Sequence, residues 1–216
     1  MSEQPERIEF SDRVEYRLNG KLHREDGPAV EYANGNKYWY LDGKCHRTDG
    51  PAIELTDGYK EWRVNGRPHR LNGPAIELEN GHKAWWVDGK CHRTDGPAVE
   101  FADGGKEWWV DGMLHRTDGP AREYANEKHW LINDKHHRED GPAIEWEDGT
   151  KYWFLDGKRH RLDGPAFSSK GLKTWYVNND AVLKPDVDKL RLKTLTLSFV
   201  VNRRIWKKTY LKKYNK

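Results

Sequence analysis

The residues best suited to chemistry in this sequence are histidines followed closely by acids. The string His-Arg-x-(Asp/Asn)-Gly-Pro-Ala occurs seven times, with its histidines at His23, His46, His69, His92, His115, His137 and His160. An imidazole beside a carboxylate can move a proton near neutral pH or ligate a metal ion. A metal site, however, needs three or four ligands converging on one point. Here the histidines come singly, at spacings of 23, 23, 23, 23, 22 and 23 residues, and the third copy carries Asn72 instead of the acid. An enzyme needs one special constellation, whereas seven similar ones describe architecture. The expectation is structural His–Asp hydrogen bonding, with no catalytic residue, no metal and no cofactor. Arg24, Arg47, Arg70, Arg93, Arg116, Arg138 and Arg161 are expected to pair with the nearby Asp or with loop carbonyls. No Gly-rich phosphate loop, nucleophile elbow or CxxC pair appears.

The elements that must position these groups are short strands and turns. A tryptophan recurs in phase with the histidine, at Trp39, Trp62, Trp85, Trp108, Trp130, Trp153 and Trp175. In the first unit Ala29-Val30-Glu31-Tyr32 alternates as a half-buried strand does. Asn34-Gly35 turns the chain, and Lys37-Tyr38-Trp39-Tyr40-Leu41 is rich in β-formers. Asp42-Gly43 suits a type I′ hairpin, because both central residues need positive φ. Lys44 to Arg47 returns, and Gly50-Pro51 ends the ladder, since proline lacks an N–H. Such frequent Gly and Pro signals leave no room for a helix in the array. The expected fold is all-β: an elongated, single-layer antiparallel β-meander of seven 23-residue repeats, plus a short basic C-terminal segment. Residues 1–13 form a lead-in, 14–179 the array and 180–216 the tail. About 15 strands at roughly 4.8 Å spacing would give a ribbon about 70 Å long.

Side chains alternate across a strand, so comparing the units separates two faces. Lys37, Trp39 and Leu41 share a face that is nearly constant in every unit, and Trp39 should sit opposite His46, so the histidine is expected to pack on the tryptophan ladder. The opposite face varies. It carries Tyr40, Arg63, Trp86, Trp109, Leu131, Phe154 and Tyr176. Residues that repeat are needed for each unit to fold, and residues that vary are free to meet a partner. Those seven are the candidate partner-binding residues; the bland alternative is that they cover a thin sheet or receive the C-terminal segment. Glu31, Glu54, Glu77, Glu100, Glu123 and Glu145 form a second stripe, expected either to pair across strands with Lys or Arg or to form an acidic track. Cys45 and Cys91 stand two units apart, roughly 19 Å by strand spacing, too far for a disulfide. They should be free thiols, as in a reducing compartment.

The run Trp39-Tyr40-Leu41-Asp42-Gly43-Lys44-Cys45-His46, continuing to Asp49-Gly50, resembles a MORN repeat. The similarity spans residues 14–179. The family usually has Gly after the His, where this chain has Arg, and in this it looks like variant arrays of phage, giant-virus and bacterial proteins. What the resemblance implies is an elongated antiparallel sheet used as a scaffold, in some members with phospholipid contacts. It also suggests a phage or viral factor acting on a host protein.

Composition explains why such a fold is needed. Leu, Ile, Val and Phe make up 39 of 216 residues, while 34% are charged. So little aliphatic mass usually means disorder. Eleven Trp, ten Tyr and a net charge of only +3 argue otherwise. No window approaches the 18 apolar residues of a membrane span, and the N-terminus lacks the apolar core of a secretory signal. The expected location is the cytoplasm, that of a host if the protein is viral.

From Asp180 onward there are 11 basic and 3 acidic residues, against 27 and 32 before it, so a −5 array carries a +8 tail. Pro185 and the acids after it resemble a helix start. Val187, Leu190, Thr194, Leu197, Val201 and Ile205 fall at helical spacing, although Leu195, Leu197, Phe199 and Val201 also alternate as in a strand. The spacing favours helix. Arg203, Arg204, Trp206, Lys207, Lys208, Lys212 and Lys213 interleave bases with an aromatic, which suits nucleic acid or an anionic membrane surface; a cap over the last strand is the plainer role. The expected function is therefore a non-catalytic repeat scaffold that binds another protein through the variable face. Nucleic-acid or anionic-lipid binding through 184–216 is the alternative, and self-association through an open sheet edge is a further route to partners.

Overall fold

A computed structural model describes residues 4–183. They are all-β, antiparallel, and contain no helix. Among them no helix is long and apolar enough to cross a membrane. The helix expected from residue 185 onward lies outside the described residues. Two units divide the chain, Met1–Ala125 with Ile132–Asp134, and Asn126–Leu131 with the remainder from Lys135.

In the first unit the strand Arg13–Leu18 pairs with Val30–Tyr32, then the chain runs through Lys37–Tyr38, Ile53–Glu54, Lys60–Glu61, Ile76–Glu77, Lys83–Ala84, Val99–Glu100, Lys106–Glu107 and Arg122–Glu123. Each strand pairs with the one before and the one after, which makes an open meander. The second unit repeats the plan with Glu127–His129, Ile144–Trp146, Lys151–Tyr152, Phe167–Ser169, Leu172–Val177 and Asp180–Val182. Both ends go further than the 14–179 array expected from the repeat. Glu6–Glu9 adds a strand beside Arg13–Leu18, and Asp180–Val182 folds back on Leu172–Val177. The latter is possible because Asn178 and Asn179 take φ of 53° and 75° and serve as a hairpin turn, where the repeat signature itself had run out.

Within a repeat the tryptophan is the switching point. The N–H of Trp39 donates to the carbonyl of Ala52 at 2.9 Å, whereas its carbonyl accepts from the N–H of His46 at 3.0 Å. The strand thus leaves the meander and enters a hairpin, Tyr40–Leu41 against Lys44–Cys45. Asp42 and Gly43 close it with φ of 50° and 76°, the two positive values of a type I′ turn. Hairpins also bond sideways: Arg24 N–H donates to the Tyr40 carbonyl at 3.0 Å, and Gly43 N–H to that of Leu22 at 2.8 Å.

The most buried side chain of each repeat is the alanine of Gly-Pro-Ala. Ala29, Ala52, Ala75, Ala98 and Ala121 in the first unit, and Ala143 and Ala166 in the second, are 0% exposed. The tryptophans, by contrast, are only partly buried. The centre of a repeat is therefore a backbone packed tightly on a methyl group, with the indole as its cover.

That cover is finished by arginine, while His46 stands opposite Trp39 as the alternation predicts, its backbone N–H bonding the Trp39 carbonyl. The guanidinium carbon of Arg47 lies 4.2 Å from the centre of the Trp39 ring. The same stack joins Arg70 to Trp62, Arg93 to Trp85 and Arg116 to Trp108, and in the second unit Arg138 to Trp130 and Arg161 to Trp153. In the opening half-repeat Tyr16 takes the indole's place beneath Arg24. Arg47 Nε donates to Asp49 at 2.9 Å, and Nη1 to the Pro51 carbonyl at 3.2 Å and to Glu54 at 3.0 Å. The side chain crosses directly over Gly50, where an added Cβ would stand 2.6 Å from Cζ. This close approach is why the motif needs glycine before proline.

Candidate protein-binding face

Each motif histidine bonds to the hairpin turn of the next repeat. Nδ1 of His69 lies 2.9 Å from Oδ1 and 3.2 Å from the backbone nitrogen of Asp88. His23 meets Asp42 and His92 meets Asp111 in the same way, while His46 uses Asn65. The imidazole is thus held by a turn 18 or 19 residues on, not by the residue three along its own motif, which where it is an acid bonds the arginine. An amide serves as well as a carboxylate, as His115 with Asn133 shows. These contacts join neighbouring repeats.

The glutamate stripe lies in register with lysines on the same face. Glu31 stands opposite Lys37, which in turn faces Glu54, and the alternation continues through Lys60, Glu77, Lys83, Glu100 and Lys106. Five of these glutamates also pair with the stacked arginine of their repeat, Arg24 with Glu31 at 3.0 Å for example. Cross-strand pairing accounts for the stripe. The constant face is therefore largely closed on itself: Trp, Arg, His, Asp, Glu and Lys answer one another in most repeats, with Asn72 in place of the Asp in one and Ser168 in place of the Glu in another.

The other face carries the row of differing residues. In the first unit Tyr40, Arg63, Trp86 and Trp109 occupy the matching position of successive hairpins, and all four are partly exposed. Their cross-strand neighbours are Cys45, Pro68, Cys91 and Leu114. In the second unit Phe154 and Tyr176 are partly exposed, whereas Leu131 is only 5% exposed and supports the face from within. The two tryptophans differ in their polar handles. Trp109 Nε1 donates to Glu107 at 2.9 Å, but Trp86 Nε1 is buried without a hydrogen-bond partner among the described residues.

Sequence reasoning missed three buried carboxylates on this face. Glu15, Glu61 and Glu107 are 5%, 3% and 6% exposed. They lie two repeats apart, a spacing that was visible in the sequence. A buried carboxylate is tolerated only if bonded, and each is. Glu15 accepts from Arg13 and Arg17 at 2.7 and 2.8 Å. Burial alone would raise its pKa, but the two arginine bonds outweigh it and hold the carboxyl below its ordinary value. Glu61 pairs with Arg63 at 2.8 Å and accepts from the Tyr59 hydroxyl at 2.8 Å. Glu107 accepts from Arg122 at 2.8 Å and from the Tyr124 hydroxyl at 2.6 Å, besides Trp109. Arg63 is consequently tied into the sheet rather than displayed alone.

Cys45 and Cys91 are free and buried. Burial pushes their thiols up to about 11 and about 12. The edge strand Glu6–Glu9 is charged, with Arg7 paired to Glu9. The basic-tail candidates Arg203, Arg204, Trp206, Lys207, Lys208, Lys212 and Lys213 lie outside the described residues. No protein-family model matches the chain, and no curated protein matches its sequence.

Proposed function

We propose that this chain is a non-catalytic β-repeat scaffold that binds another protein through the face on which its repeats differ. One observation carries the reading. The constant face uses its tryptophan, arginine, histidine and acids on one another, repeat after repeat, while the opposite face presents a partly exposed aromatic row of changing identity. Aromatic side chains supply large contact area at little entropic cost and are enriched in protein interfaces. On the resemblance to phage and giant-virus arrays, the partner is a host protein met in the host cytoplasm.

The test is the full chain with Trp86→Glu and Trp109→Glu, set beside a tail variant in which Arg203, Arg204, Lys207, Lys208, Lys212 and Lys213 become Gln. Affinity capture from cells should lose its specific partner with the first variant and keep it with the second, the melting temperature being checked for both. Capture that survives the face variant and fails with the tail variant would move the function to nucleic acid or an anionic membrane.

A further inference from the structure

Arg159 is unlike every other half-buried arginine among the described residues. Arg13, Arg17, Arg63 and Arg122 on its face, and the seven arginines stacked on the constant face, each have a carboxylate in ion-pair range. Arg159 has none. Its guanidinium lies 5.6 Å from the Tyr152 ring centre and 5.2 Å from that of Tyr176, with Nη1 3.5 Å from the Tyr176 hydroxyl. The cause is legible in the repeat. The position that provides Glu61 and Glu107 in two repeats provides Tyr38, Ala84, His129, Tyr152 and Thr174 in the others, so no internal carboxylate stands at that position beside Arg159.

In its place is a groove of about 460 Å³, lined by Ile144, Trp146, Tyr152, Phe154 and Arg159 together with Asp148 and Thr150. Trp146 is 40% exposed, the one tryptophan so exposed among the described residues. It occupies the position held by Tyr32, Leu55, Leu78, Phe101 and Tyr124 in earlier repeats. A single unpaired guanidinium beside aromatic walls selects a ligand that brings one carboxylate and one apolar group together. Asp148, next to Glu147, repels a polyanion, which disfavours a nucleic-acid backbone.

We infer that this groove takes a peptide segment of a partner protein in which an Asp or Glu adjoins an aromatic or large aliphatic residue. The carboxylate pairs with Arg159, and the apolar side chain lies against Trp146 and Phe154. The inference rests on the protein-binding reading above and names the chemistry its partner must have.

A displayed library of random dodecapeptides, selected on the purified full-length protein, tests it. Selected sequences should place Asp or Glu beside Phe, Trp, Tyr, Leu or Ile. A synthetic peptide from the selection should quench or shift Trp146 emission, judged against Trp146→Phe. It should bind at least tenfold more weakly to Arg159→Gln, and equally so when its own acid is changed to the amide. Trp146→Ala, away from the arginine, should weaken it too if Arg159→Gln proves unstable. Peptides without an acid preference, or an equal affinity for Arg159→Gln, would overturn the inference. So would an oligothymidylate that competes with the peptide and depends on Arg159. Acid-independent peptides lost only with Trp86→Glu and Trp109→Glu would sink this groove and leave the protein-binding face standing. Peptides indifferent to the groove variants and to Trp86→Glu with Trp109→Glu would remove both.

Discussion

The guanidinium carbon of Arg47 sits 4.2 Å above the Trp39 ring while the same side chain bonds Asp49, Glu54 and the Pro51 carbonyl. One arginine therefore closes the aromatic cover, the loop and the strand of its repeat. Lysine keeps the charge but loses the planar stack and the fork of donors. Arg47→Lys should lower stability by about 1–2 kcal/mol, from the stack and the partly buried bonds together. Urea unfolding measures it, and a midpoint within error of the parent would show the stack to be ornamental.

Ala52 tests the opposite property, tightness. Its side chain is 0% exposed and its backbone bonds both Trp39 and Glu61. Ala52→Val adds two methyl groups where there is no room, and overpacking of this kind costs about 1–3 kcal/mol. The same substitution at exposed Ala102 should be neutral. Equal melting temperatures for the two variants would contradict the alanine-centred core.

Trp86 and Trp109 stand at equivalent positions but differ in their indole N–H. Phenylalanine at 109 leaves buried Glu107 short of a donor, at about 1–3 kcal/mol. Phenylalanine at 86 removes an unpartnered N–H. Trp109→Phe should thus be clearly the more destabilising of the two, although both lose similar ring area. Calorimetry of the pair decides it, and the reverse order would mean that the Trp86 N–H has a partner in solution.

The motif acids set an acid limit. Bonds from Arg24, Arg47, Arg93, Arg116 and Arg138 hold Asp26, Asp49, Asp95, Asp118 and Asp140 below their ordinary value of 3.8. A carboxylate whose pKa is lower folded than unfolded stabilises the fold above its unfolded pKa. That contribution disappears as pH falls through the folded value. The protein should lose stability steadily below about pH 4, and Asp49→Asn should flatten that loss slightly. Carbon-detected NMR titration of the Asp carboxyls checks the direction site by site; a pKa at or above 3.8 for Asp49 would refute the pairing.

The two cysteines report on opening. With thiols raised to about 11 and about 12 by burial, almost no thiolate exists at pH 8. Ellman's reagent should react with native protein far more slowly than with protein in urea, and the rate should track local unfolding of the Tyr40–Cys45 and Trp86–Cys91 hairpins. Immediate stoichiometric reaction of the native chain would place the thiols at the surface.

Much of this protein is determined locally, and so could be read from residues alone. Asp42-Gly43 dictates its turn, Pro51 ends its ladder, and strict alternation assigns Trp39 and Tyr40 to opposite faces whatever lies around them. A 23-residue period then copies the result along the chain. What needed the tertiary structure was every relation between neighbouring strands. That His69 bonds Asp88 of the next repeat, that an arginine stacks on the indole, and that Ala52 rather than Trp39 is the buried centre all depend on which backbones come within a few ångströms. The same holds for Arg159. Its residue type is plain in the sequence, but the missing carboxylate is a property of the strands beside it, because an ion pair is made by distance and not by order along the chain.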